Sequence, residues 1–333
     1  MAVNNGSFVI SLDFELMWGV RDVVTKQSYG EHIRGVHQAM PSLLNYFNNY
    51  SVKATFATVG VLFFKNKTEL LANLPSTIPA YDNSNLSPYG KYIENEVIES
   101  YPEDPYHYGW HLLKLVQLAG VHEIGTHTFS HYYCLEKGQS LEAFEADINK
   151  AVYVAQQNDI AITSIVFPRN QVNDDYLQVC KNAGIQVYRG TENSWIYSAR
   201  SFKNESIVRR MVRLLDAYIN LSGHHCYTMA SLIQPNGMVN IPSSRFLRPY
   251  TPLLKKWEAL RLRRITRAMT HAAKNGLVYH LWWHPHNFGI NQQENLSFLQ
   301  KILEHYQLLH KKYAFNSLTM SELSATLLKN NEK

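Results

Sequence analysis

Residues 7–19 read SFVISLDFELMWG, and this stretch carries the fold class. The apolar run at 8–12 is short, ends in acids and is closed by a glycine. A strand buried on both faces of a parallel sheet is written this way, apolar along its length and polar only at the C-terminal rim. Residues i and i+2 of an extended strand point to the same side, so Asp13 and Glu15 should face one pocket. Two acids at alternate positions are more often a solvated strand end. Leu12, Phe14, Leu16 and Trp18 around them make a poor solvent-facing edge.

Outward from this strand, Val36, Met40, Leu43, Leu44 and Phe47 recur at three- and four-residue spacing, which predicts an amphipathic helix over 35–50. A second strand is expected over 53–61. Strand, helix and strand at this pitch form a βαβ unit and favour a parallel sheet. Residues 66–110 break the rhythm with Asn, Pro and Tyr, and read as an insertion holding one short helix. Regular structure resumes over 110–118. Helices are then expected at 140–157 and 174–183, with strands at 161–167 and 185–188. A second irregular insertion, about 190–250, precedes a helix at 253–274, a strand at 277–283 and a final helix after Gln292. No repeat or linker divides the chain, so residues 1–333 read as one α/β domain.

Composition narrows the function. The chain has 333 residues, 45% hydrophobic and 18% charged, enough to bury a core and too apolar for disorder. Cys134, Cys180 and Cys226 form no CxxC or CxxH pattern, which excludes a thiolate zinc site and a disulfide framework. The opening MAVNNGS lacks the basic start and apolar run of a secretory signal, and no apolar stretch approaches ~18 residues. A soluble, cytoplasmic protein is the expectation. Of the net charge of +5, the segment 245–267 alone supplies +7, so the basicity is local and a nucleic-acid partner is not expected.

Two further segments bring histidines to predicted strand ends. In HEIGTHTFSH (122–131), His127 and His131 are four apart, a spacing that on a helical turn points both imidazoles one way. In HLWWHPHNFG (280–289), His284 and His286 emerge beside Pro285 and Asn287. A carboxylate with two imidazoles leaves open positions on a metal for water and substrate.

SLDFE, KATFATVG, HEIGTHTFSH, FPRNQ and LWWHPHN occur in the order found in the NodB-homology polysaccharide deacetylases, carbohydrate esterase family four, and the chain resembles that family over nearly its whole length. FNSLTMSEL (315–323) also looks like the family's last strand and helix. The resemblance implies a distorted, incomplete (β/α) barrel of about seven parallel strands. It implies Asp13 as general base, His284 as general acid, and Glu15, His127 and His131 as ligands of a divalent metal. Zn²⁺ fits the ligand types best, with Co²⁺, Mn²⁺ or Fe²⁺ as alternatives. The family's catalytic arginine is assigned to Arg169, although it follows Pro168 where the family's arginine comes two positions before the proline. Glu192 and Asp216 compete as its supporting acid. Trp18, Tyr132, Trp283 and Asn287 are the candidate substrate contacts, with a backbone N–H near Tyr132 stabilising the oxyanion.

The function this implies is removal of an N-acetyl or N-formyl group from an amino sugar in a nucleotide- or lipid-linked precursor of a surface polysaccharide or lipopolysaccharide. The alternatives are hydrolysis of a non-sugar amide or cyclic imide, and a carbohydrate-binding homologue without catalysis. Residues 252–272 mix cations with Leu253, Leu254, Trp257, Leu260 and Ile265. A helix packing its apolar stripe on the barrel is the ordinary explanation, and peripheral contact with the inner membrane face is the functional one.

Overall fold

β1 (Ser7–Phe14) lies at the centre of the sheet, and all eight of its residues are buried. The continuous apolar run demands this, since each large side chain is worth about 1.5–3 kcal/mol when fully removed from water. In this computed structural model residues 5–197 and 207–331 are described. The first four residues of the polar opening and part of the second expected insertion lie outside them.

β1 pairs with β2 (Thr55–Thr58) and β8 (Val278–Trp283), and at its start with β9 (Asn316–Leu318). Beyond β2 follow β3 (Glu123–Thr126), β4 (Ser164–Val166), β5 (Val187–Arg189) and β6 (Val239–Asn240); beyond β8 lies β7 (Arg245–Phe246). Every strand pairing is parallel. β6 and β7 occupy opposite ends of this order yet are separated by only four residues of chain. Within that link the Ser243 N–H donates to the Gly190 carbonyl (2.9 Å) and the Ser244 N–H to the His280 carbonyl (2.8 Å). The sheet therefore curls until its two ends share one segment, an incomplete (β/α) barrel. It has nine strands among the described residues where about seven were expected, and the two-residue β6 and β7 are too short to leave a periodic signal.

The helices Val36–Asn49, Leu141–Gln156, Asp174–Asn182, Glu258–Asn275 and Gln292–Tyr313 fall where the spacing placed them. The last strand and helix are β9 and Met320–Asn331. Other expectations are corrected. The strand over 53–61 stops at Thr58 and turns into a short 3-10 helix at Gly60–Phe63. The first insertion holds two short helices, Lys67–Ala72 and Lys91–Glu96, instead of one. The second contains helix Ile207–Asp216 as well as β6 and β7. No helix among the described residues is long and apolar enough to cross a membrane. The three cysteines are unpaired.

The basic segment is partly internal. Arg245, Arg261 and Arg264 are buried. Arg245 Nη1 pairs with Asp216 Oδ2 at 2.6 Å, Arg264 approaches Asp216 Oδ1 at 3.7 Å, and Arg261 pairs with Glu258. Ile265 faces the core, while Leu253, Trp257 and Leu260 remain exposed.

Candidate active site

The functional side chains converge on the C-terminal rim of the sheet, where a parallel barrel presents the loops that follow its strands. Trp283 of β8 is in register with Leu12 of β1, so His284 and Asp13 stand at the same level. His127 follows β3 and Arg189 ends β5.

Glu15, His127 and His131 form a buried cluster. Glu15 Oε2 lies 3.3 Å from His127 Nε2 and 3.2 Å from His131 Nε2. Donors 3.2–3.3 Å apart can share an ion about 2.0–2.1 Å from each, the bond length of a zinc–nitrogen or zinc–carboxylate site. His127 Nδ1 donates to the Val166 carbonyl at 2.7 Å, which fixes the tautomer and turns the Nε2 lone pair toward Glu15. Burial pushes His131 down to about 4, so its imidazole is neutral near pH 7 and has a lone pair to give. Burial alone would raise the Glu15 carboxyl; the three imidazoles around it, His284 first and then His127 and His131, outweigh burial and hold Glu15 well below the usual range. Gly19 belongs to this arrangement. A Cβ there would sit 2.0 Å from the Glu15 carboxyl carbon, so any side chain would displace the carboxylate.

The four-residue histidine spacing does not come from a helical turn. Residues 127–131 form a bend in which Thr128 (φ 63°) and His131 (φ 62°) are left-handed. Asp147, on helix Leu141–Gln156, holds that bend by accepting from the Phe129 N–H (2.6 Å), the Ser130 N–H (3.2 Å) and the Ser130 hydroxyl. Nothing in the sequence pattern marks Asp147, because a lone acid in an amphipathic helix reads as surface.

Beside the cluster, Asp13 makes a two-pronged pair with Arg189, Nη1–Oδ1 2.7 Å and Nη2–Oδ2 2.8 Å. Arg189 is itself fully buried, bonded to Ser11 Oγ (3.0 Å) and Asn170 Oδ1 (2.9 Å), with its guanidinium 4.1 Å from the Trp282 ring centroid. Burial pushes Asp13 up, but the Arg189 charge and hydrogen bonds win and keep it below its ordinary value. Ser11 Oγ also meets His280 Nε2 at 2.8 Å, so the pair is braced from beneath. His284 is the accessible member of the site. Its Nε2 is 3.8 Å from Asp13 Oδ2 and 3.6 Å from Glu15 Oε1, and its ring stacks on His286 at 4.8 Å.

The arginine assignment is therefore corrected. Arg169 does not reach Asp13; it pairs with Asp22 and stands 4.0 Å from Glu136. Arg189 is the arginine that reaches Asp13, from the end of β5. Of the two acids expected to support Arg169, Asp216 anchors Arg245, and Glu192 is buried near Arg245, Ser243 and Arg189. Three of the four expected substrate contacts point elsewhere. Trp18 is buried and donates to the His107 carbonyl at 2.8 Å. Trp283 packs on Phe47 and Phe288 beneath the helices. The Tyr132 ring is buried, its N–H is spent on Thr128 Oγ1 (2.7 Å), and the Tyr133 N–H is spent on the Tyr81 hydroxyl (2.8 Å). The expected oxyanion N–H is thus occupied. Asn287 reaches the site only indirectly, its Oδ1 accepting from the His284 N–H at 3.2 Å to fix that turn. Trp282, two residues before His284 and on the same side of the strand, is the partly exposed rim aromatic. His286, buried with its Nδ1 3.9 Å from Glu15 Oε1, was seen in the sequence but given no role.

This geometry makes His131→Ala a test of the cluster. The variant is expected to lose the bound divalent ion and turnover together, read by elemental analysis of the purified protein beside an activity assay. A variant that keeps a full equivalent of metal would remove His131 from the ligand set.

A family model described as "Polysaccharide deacetylase" matches residues 28–188. Asp13, Glu15, Arg189 and His284 lie outside the matched span, so their grouping is a finding of the three-dimensional structure. A search of the curated proteins finds no match. Among solved structures the chain is similar to a putative polysaccharide deacetylase from Mycobacterium smegmatis, with 12% identity, TM-score 0.62, and coverage of 99% of this chain and 93% of that one. It is also similar to 4-alpha-glucanotransferase from Thermococcus litoralis (12% identity, TM-score 0.53, 96% of this chain and 40% of that one). The third is Puue allantoinase, at 9% identity and TM-score 0.50, covering 96% of this chain and 88% of that one. At these identities the likenesses establish the barrel and nothing finer.

Proposed function

We propose that the chain, whose residues 28–188 match the polysaccharide deacetylase model, is a hydrolase of that family acting on carbon–nitrogen bonds other than peptide bonds, and that it removes an N-acetyl or N-formyl group from an amino sugar with the aid of a divalent metal. The observation that carries this reading is the placement of Asp13 and His284 side by side at the open edge of the Glu15, His127 and His131 cluster. Those three residues would hold the ion, and the two-imidazole, one-carboxylate donor set with its 3.2–3.3 Å edges fits Zn²⁺. When bound, such an ion supplies Lewis acidity to the acyl carbonyl and acidifies water.

The protein's own groups do the proton work. Asp13, held ionised by Arg189, takes the proton of the attacking water. His284, the exposed member, gives a proton to the departing amine. The stack on His286 and the Asn287 cap fix the His284 ring so that its Nε2 faces the same space as Asp13. Trp282 offers a ring face at the rim for a sugar.

A nucleotide- or lipid-linked precursor of a surface polysaccharide or lipopolysaccharide is the substrate we favour. Cyclic imides and ureides compete, because burial of Trp18 and Trp283 removes both tryptophans expected to contact a sugar. The test is a panel of acylated nucleotide sugars, lipid-linked amino sugars and cyclic ureides, incubated with Zn²⁺-loaded enzyme and assayed for acetate, formate and ring opening. Ring opening without released acid would overturn the amino-sugar reading.

A further inference from the structure

Helix Ile207–Asp216 is built inside out. Its buried residues are Arg209 and Asp216, whereas Ile207, Val208, Met211 and Leu215 are 75%, 65%, 60% and 52% exposed. The inward charges are what attach the helix to the body. Arg209 Nη2 donates to the Trp195 carbonyl at 2.7 Å, and Asp216 accepts from Arg245, the Tyr197 hydroxyl and the N–H groups of Leu221 and Ser222. The outward apolar side chains add nothing to the core, and contiguous exposure of this kind marks a contact surface.

The chain after the helix continues this face with exposed Ile219 and Leu221. Ile219 and Leu260 line a cavity of about 610 Å³ together with Arg263, Arg267, His271 and Lys274. On helix Glu258–Asn275 these four basic positions recur at three- and four-residue spacing and share one stripe. Among the described residues no carboxylate lines the cavity. Two acids of the adjoining helices are already engaged, Glu258 by Arg261 and Asp216 by Arg245. The wall residue His224 is held below its ordinary value by burial and then by Arg264, His271, Arg245 and Arg267, a measure of the positive field.

We propose that this face docks on an anionic phospholipid bilayer, with lipid phosphates entering the Arg263, Arg267 and Lys274 cavity and Ile207, Met211 and Leu215 entering the interface. An apolar-faced helix beside an open cationic recess is complementary to such a surface in both charge and polarity. A second copy of the chain is a poorer occupant, because a two-fold contact would set the two cationic recesses against each other. The docking goes beyond the deacetylase reading and stands without it.

The test is flotation of the full chain with phosphatidylcholine vesicles and with mixed phosphatidylcholine–phosphatidylglycerol vesicles, at low and at moderate salt. Binding is expected to the mixed vesicles at low salt, roughly tenfold weaker to neutral ones, and weaker again at moderate salt. Arg263→Glu with Arg267→Glu, and separately Ile207→Asp with Met211→Asp, should each lower binding by about tenfold or more. Their thermal unfolding and their hydrolysis of a water-soluble acylated amino sugar should match the parent. No binding at low salt overturns the proposal, as does binding that neither pair of substitutions reduces. It is equally overturned if inorganic phosphate binds the cavity while vesicles do not, or if light scattering shows a dimer that Met211→Asp dissociates and vesicles do not bind.

Discussion

Asp13→Asn is expected to keep its metal and lose turnover by ~10²–10⁴-fold, the usual contribution of a positioned general base. Asparagine has nearly the same shape, and its remaining oxygen can still accept one of the two Arg189 hydrogen bonds, so the metal cluster should stay assembled although the ion pair is lost. What it lacks is a basic oxygen for the water proton. Because Glu15 meets both cluster histidines and Asp13 meets neither, metal content should follow Glu15 and not Asp13. Elemental analysis of the variant beside its kcat checks both halves. If Asp13→Asn strips the metal while Glu15→Gln keeps it, the roles of the two acids are reversed.

Arg189→Met is expected to cost about 3–5 kcal/mol of stability, because it leaves the Asp13 carboxylate buried and unpaired. The side chain is fully buried and bonds to Asp13, Ser11 and Asn170, so the loss reaches three partners at once. Turnover should fall as well, since the base is no longer held in place. Arg169→Met is the control. Its ion pairs are with Asp22 and Glu136, outside the catalytic group, and kcat should change little. Denaturant unfolding of the double variant Asp13→Asn with Arg189→Met separates charge from packing. Removing both partners leaves no orphaned ion, so the double variant should be more stable than Arg189→Met alone. A double variant whose loss equals the sum of the two single losses would mean that the ion pair is energetically unimportant.

Much of the site was legible because it obeys local rules. A strand has a period of two, so an apolar run ending in Asp13 and Glu15 announced both the sheet and its polar rim. The same period, applied to His284, favours Trp282 over Trp283 as the rim aromatic, since positions 282 and 284 share a side. The structure brings His127 and His131 together beside Glu15, but through a bend and not the helical turn that their spacing predicts. Two left-handed residues and a buried aspartate shape their bend, and neither leaves a mark in spacing. Trp18 and Tyr132 were misjudged because proximity in sequence to a functional residue does not say which way a ring turns.

Taken alone, the sequence determined the parallel α/β class, the helices with a strong apolar stripe, and the residues at the ends of β1, β3 and β8. Each of these depends on contacts between near neighbours along the chain. The tertiary structure decided the rest. Arg189 lies 176 residues from Asp13 and four strands away in the sheet, and only the curl of the barrel brings them together. The same holds for the segment read as simply basic. Arg245, Arg261 and Arg264 turn inward to acids, while Arg263, Arg267 and Lys274 turn outward into an open recess. Composition counts charges and cannot say which of them the fold will bury, because burial is settled by partners that lie distant in the chain.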